Sequence, residues 1–157
     1  MLLAAAGCAT PPPPVYQDES FSAESPFAYW STRTPEAICE VGRRALLSQG
    51  YQLAESKPEA VRGEKFFQPQ VDHGMKLAIT LVCLPSNVGA VVYANALETR
   101  YELRSRGSNA GVSVAGLGSI SVPWATDKDV LVKVGEQTVS DPDFYRRLFA
   151  LIESLGG

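Results

Sequence analysis

Apolar residues recur along this chain with two periods, and the switch between them marks out its elements. In "STRTPEAICEVGRRALLSQGY", Ile38, Val41, Ala45 and Leu46 fall on one face of a helical wheel and Cys39 borders it. Thr34 reads as the N-cap, Pro35 as the first helical residue, Glu36 as a first-turn acid and Gly50 as the stop. Arg43 and Arg44 fall on the polar side, a solvated face. A second helix is predicted in "SDPDFYRRLFALIESL", capped by Asp141, opened by Pro142 and complemented by Asp143. Its apolar stripe is Phe144, Leu148, Leu151 and Leu155, widened by Tyr145, Phe149 and Ile152. A stripe that broad is suited to covering a sheet.

Between the helices the period falls to two. "YQLAES" reads as a short strand with a turn at Lys57–Pro58, then "AVRGEKFFQ" and "MKLAITLVCL" as longer ones. Met75, Leu77, Ile79, Leu81 and Cys83 share one face of the third strand, and a turn is expected at Pro85–Ser86–Asn87. In "AVVYANALETRYELR", Leu97, Tyr101 and Leu103 oppose Glu98, Arg100, Glu102 and Arg104. That pattern predicts one buried and one wet face, with cross-strand ion pairs on the wet one. "DVLVKVGEQTV" places Val130, Val132 and Val134 on one side of a fifth strand. The expected fold is α+β: a mainly antiparallel sheet of about five strands with both helices on one face, plus a Gly-rich hairpin insertion.

The insertion is "RGSNAGVSVAGLGSISVPWATDKD". Val112, Val114, Ile120, Val122 and Trp124 alternate with small residues about Gly116–Leu117–Gly118, the pattern of a hairpin with one apolar face. The hairpin either extends the sheet and turns that face inward, or projects it to a partner or membrane. Val112, Val114, Leu117, Ile120, Pro123 and Trp124 are the candidate partner-binding residues. A phosphate loop is not indicated, because neither Gly-Lys-Ser/Thr nor the GxGxxG spacing is present.

The N-terminus speaks about location. Leu2 to Gly7 reads as the tail of a signal peptide, and Cys8 sits where a bacterial lipoprotein carries its lipidated cysteine. Ala5 stands where such a lipobox usually has Leu, and the basic n-region is missing, so either the true start is expected upstream or the chain is trimmed. "TPPPPVYQDESFSAESP" follows, Pro-rich and poor in aliphatics, a tether reaching roughly 50 Å if extended. The organisation read is residues 1–8 as signal remnant and lipobox, 9–26 as tether and 27–157 as one domain. Ala9, rather than aspartate, after the cysteine favours the outer membrane, with the domain in the periplasm. Three acyl chains would hold stably where one is marginal.

Charge and chemistry narrow the function. A net charge of −3 gives no electrostatic footprint for nucleic acid. Apolar runs stay short of the roughly 18 residues that mark a membrane span. With Cys8 lipidated, Cys39 and Cys83 remain, both directed at one core. They form either a disulfide, the reading adopted, or two buried thiols. Two cysteines and one histidine lack zinc-ligand spacing, so neither metal nor cofactor is expected. His73 follows Asp72 at a turn, no serine sits in a nucleophile elbow, and no catalytic residue is assigned.

Taken together, Cys39, "RRALLSQGY", "VRG" with "FFQP", Cys83, "LGSIS", "LVKV" and "FYRRLFALI" resemble an uncharacterised proteobacterial lipoprotein family, domain of unknown function 2242. The resemblance spans Phe27 to Leu155. It implies a lipid-anchored envelope protein whose two domain cysteines correspond to the family's pair, and it implies no activity. The element order is also similar to small lipoprotein subunits of outer-membrane assembly machines, such as the BamC type, at the level of fold. The expected function is a non-catalytic accessory or scaffold module that binds an envelope protein through the hairpin or a sheet edge. The alternative is a small-ligand or lipid-binding module with a pocket between helices and sheet.

Overall fold

A computed structural model describes residues 7–54, 56–105 and 129–157, and the backbone of 119–120. The elements run β1 (Ala28–Ser31), α1 (Pro35–Ser48), β2 (Gln52–Leu53), β3 (Ala60–Gln70), β4 (His73–Ser86), β5 (Gly89–Ser105), β6 (Ser119–Ile120), β7 (Asp129–Thr138) and α2 (Pro142–Gly156). The strands form one antiparallel sheet in the order β2-β3-β4-β5-β7-β6, with β1 also on β5. Both helices pack on one face, so the α+β expectation holds. Among the described residues the sheet has seven strands, against about five expected. The additions are β1, which the sequence pattern did not announce, and the two-residue β6.

The helix punctuation is where the sequence put it. Thr34 Oγ1 accepts from the Ala37 N–H at 3.3 Å, and the Asp141 carboxylate accepts from the Asp143 N–H at 3.0 Å. Each helix opens on proline. In α2 the buried stripe is Tyr145, Leu148, Phe149 and Ile152, whereas Leu155 is 44% exposed. The stripe is therefore rotated from the one expected, with Phe144 and Leu151 partly buried at its margin.

β5 is the spine. Its outer edge is shared end to end: β1 pairs with Ala90 to Tyr93 and β7 with Leu97 to Ser105. The join between them is closed by other groups. The Ala94 N–H donates to the Phe27 carbonyl at 2.8 Å, and the Ala96 N–H donates to the Tyr145 hydroxyl at 3.1 Å. Tyr145 in turn donates to the Val139 carbonyl at 2.5 Å, and the Val139 N–H to the Ala96 carbonyl at 2.8 Å. One buried phenol thus stands in for the missing strand, as buried backbone groups require. Burial pushes the Tyr145 phenol pKa up, opposed by the Ala96 N–H, and keeps it a donor.

The main core lies between the helices and one half of the sheet: Ile38, Cys39, Val41, Ala45 and Leu46 of α1 and the α2 stripe against Val61, Ile79, Leu81, Cys83, Val92, Ala94 and Ala96. The residues on β5 are small, which lets the helices come close. At Gly42 a Cβ would sit 2.6 Å from Leu81 Cδ1, so α1 lies close enough to β4 that any side chain there would have to displace Leu81. At the other end of β4, the turn falls on Asn87–Val88, with β4 continuing through Ser86, one residue later than expected. Gly89 after it has φ +144°, and a Cβ there would meet backbone atoms of Ser31, Thr32 and Arg33 at 2.6–2.7 Å.

The reading of one buried and one wet side holds in the second half of β5, where Tyr101 is buried and Arg100 and Arg104 are exposed, but not for the sheet as a whole. Along β5, Ala90, Val92, Ala94 and Ala96 face the helices, but beyond them the buried positions are Thr99 and Tyr101, on the opposite face. There Tyr101 lies against Phe66, ring centroids 5.8 Å apart, near fully buried Leu131. In β7 the buried residue is Leu131, and Val130, Val132 and Val134 are not. Pairing slips between Arg100 and Tyr101, where Gly135 and Lys133 are the partners and Val134 is passed over. That bulge breaks the alternation read from the sequence.

Candidate functional site

Cys39 and Cys83 form a disulfide with Cα atoms 6.0 Å apart, joining α1 to β4, and both side chains are fully buried. Gly42, one turn from Cys39, permits the approach this bond needs. Of three cysteines in the chain, Cys8 is left as a free and exposed thiol. The residues from Cys8 to Glu24 are all exposed, with one short 3₁₀ turn at Val15–Gln17.

The space between helices and sheet, the expected place for a pocket in the ligand-module reading, holds the core side chains described above. An opening lies further along the same sheet face, past the reach of the helices. It is a groove of about 460 Å³ lined by Phe67, Pro69, Met75, Leu77 and Glu98. It runs into a second of about 420 Å³ that shares Pro69 and Met75 and adds His73, Arg100 and Glu102. The floor is apolar and the rim mixes both charges. Lys65 crosses between α1 and the groove: its Nζ bonds the Gln49 carbonyl at 2.8 Å and lies 5.3 Å from the Phe67 ring centre.

His73 sits at the groove's end beside the two-residue turn between β3 and β4. Its Nδ1 is 2.7 Å from Asp72 Oδ1 and its Nε2 is 4.0 Å from Glu102 Oε1. The Asp72 carboxyl is held below the usual range by its hydrogen bond with His73. The histidine is 44% and the aspartate 65% exposed. The pair is a wet surface contact, with no hydroxyl nucleophile hydrogen-bonded to it among the described residues. Among the described residues no cluster of three or more His, Cys, Asp or Glu is arranged to hold a metal ion. In the Glu/Arg alternation of β5, Glu102 meets His73 across the strands, Arg104 reaches Glu102 along its own strand at 3.3 Å, and Arg100 lies over Gly135. Arg43, read as solvated, instead ties α1 to the β2–β3 turn through Ser56 Oγ at 2.8 Å and the Lys57 carbonyl at 2.9 Å.

The candidate hairpin residues Val112, Val114, Leu117, Pro123 and Trp124 lie outside the described residues. Of the set only Ile120 has a described backbone, paired with Leu131 at the β7 edge.

Residues 39–155 match DUF2242, described as an uncharacterized protein conserved in bacteria. The chain belongs to this family. The DUF2242 match opens on Cys39, includes its partner Cys83, and takes in the whole sheet except β1, together with α2 as far as Leu155. No curated protein and no solved structure matches the chain.

One apolar surface escaped the sequence reading. On the face away from the helices, Trp30, Val91 and Leu84 are register partners across β1, β5 and β4; Ala28, Tyr93, Val82 and Ala60 form the next row. Trp30 is 56%, Tyr93 46% and Leu84 43% exposed. The sequence reading followed the phase of Cys83 in β4, assigned no phase to the first half of β5, and did not read β1. Trp30 and Tyr93 were the available signal.

Proposed function

We propose that this DUF2242 chain is a lipid-anchored envelope module that works by binding rather than by catalysis. The carrying observation is the Cys39–Cys83 disulfide, which leaves Cys8 as the free thiol at the head of an exposed Pro-rich segment. Disulfides persist in oxidising compartments such as the periplasm. A cysteine set ahead of 16 exposed residues, Ala9 to Glu24, suits an acylated anchor followed by a tether. In this reading the protein is held at the outer membrane and the domain serves an envelope protein as accessory or scaffold, with residues 112–124 as the first candidate contact. Its acidic balance gives nucleic acid no attraction.

A second reading is a ligand-binding module, favoured by the groove over Phe67, Met75 and Leu77. An apolar floor with Glu98 and Arg100 at the rim fits one elongated amphipathic molecule. The deciding experiment expresses the protein from its full reading frame, fractionates membranes, and weighs the intact chain with and without reductant. Acylation at Cys8 with a gain of two hydrogens on reduction is expected. A soluble chain with an unmodified Cys8 overturns the anchored reading.

A further inference from the structure

We infer that the helix-free face at the disulfide end of the sheet docks on the surface of a lipid bilayer, with Trp30 as its central contact. The inference rests on the anchored reading for its setting in the cell, and the experiment below supplies the anchor artificially so that the two can fail separately.

The surface is the pair of rows Trp30–Val91–Leu84 and Ala28–Tyr93–Val82–Ala60, with Val88 exposed in the turn beside them. None of these side chains carries a charge. The next row, Arg62–Thr80–Asn95, is polar and bounds the patch. Val91 is buried between Trp30 and Leu84, so the row already behaves as one apolar strip.

Size decides the occupant. Four strands about 4.8 Å apart and two rows deep cover on the order of 250–300 Å². A stable protein interface needs about 800 Å² per partner, so a second copy stacked through this patch alone falls well short. A bilayer does not face that requirement when the protein is already tethered to it. A short flexible linker holds its domain at an effective concentration in the millimolar range, where a weak contact is occupied. The tether enters at Ala28, the strand that carries Trp30. It also exposes Val15, Tyr16 and Phe21, by 89%, 73% and 94%, so apolar contacts line the path from Cys8 to the patch. Tryptophan and tyrosine side chains favour the headgroup level, where an apolar ring body and a polar edge are both accommodated.

The test uses the full chain with Trp124→Phe, which leaves Trp30 as the sole tryptophan of the two. Cys8, the one thiol outside the disulfide, is coupled to maleimide-headed phosphatidylethanolamine in phosphatidylcholine vesicles brominated high in the acyl chains. With Trp30 seated about 5–10 Å into the headgroup–acyl boundary, its emission should fall by about half or more and shift to the blue. Leu84→Asp and, separately, Val88→Asp should abolish the quenching while leaving the melting temperature near that of the parent. Emission unchanged on coupling overturns the inference, as does quenching that both aspartate variants retain, since that reports crowding by the tether alone. Trp30 shielded in a dimer of the uncoupled chain also overturns it, in favour of a second copy. Acylation of Cys8 in cells is read separately by mass and bears only on the anchored reading.

Discussion

The two ends of the sheet are built from the same strands and are held together differently. At the disulfide end, β4 presents Ile79, Leu81 and Cys83, and β5 presents Ala90, Val92, Ala94 and Ala96, to two helices that exclude water from them. At the far end the same face of β4 carries Leu77, Met75 and His73, none fully buried, opposite Glu98, Arg100 and Glu102. There the buried cluster has moved to the other side, to Tyr101 and Leu131. Length explains the change. A helix of 14 residues spans about 21 Å, whereas a strand of 17 residues spans about 55 Å. Two helices cannot cover such a strand, so β5 changes which face it buries where they stop. The uncovered stretches are where binding surfaces are left.

The largest expected effect is on the disulfide. Replacing Cys39 and Cys83 together by Ala opens a loop of sequence separation 44, worth about 4 kcal/mol in the chain-entropy account, read as a lower urea midpoint. Matched truncations on β4 come next. Leu81→Ala should cost about 2–5 kcal/mol, because Leu81 is fully buried under Gly42. Leu77→Ala, four residues along the same face, should cost about 1 kcal/mol or less and enlarge the groove. Equal losses would mean that the two ends are one core.

Tyr145→Phe strips the hydroxyl from the β1–β5–β7 join and leaves the Ala96 N–H buried without its partner. About 1–3 kcal/mol is expected, with faster amide exchange at Ala96 and Val139 than in the parent. The smallest effect is that of acid. Glu136 holds its proton less readily than an ordinary glutamate because Lys133 and Thr99 bond its carboxylate, and Glu40 does so because of Arg43. A depressed folded pKa contributes stability above the unfolded value and loses it as pH falls from about 4.3 downward. Urea melts from neutral to acid pH should therefore show a modest decline that Glu136→Gln flattens in part. A decline unchanged by Glu136→Gln would remove that carboxylate as a cause.

Much of this was legible beforehand. Caps at Thr34 and Asp141, prolines at the first helical positions and the odd-numbered apolar run to Cys83 are local signals, and each led to the right element. The disulfide, the reading adopted over two buried thiols, is present. β1 was illegible because Ala28–Ser31 is too short to show a period and exists by pairing with an edge that β5 provides. The groove was missed because Met75 and Leu77 carry the same pattern as buried Leu81, and nothing local says where a helix ends above them.

The sequence by itself determined both helices and the strands β2, β3, β4, β5 and β7, which cysteines lie in the domain, and the core-facing side of α1 and β4. These depend on residue spacing and capping chemistry, which act within a few positions of the chain. Tertiary structure alone decided that β1 and β7 share one edge of β5, that a tyrosine closes the gap between them, and that the buried face switches along the strand. Those outcomes depend on helix length set against strand length, and on how closely Gly42 and the β5 alanines let the layers approach. They are properties of distances between elements, which no stretch of sequence contains.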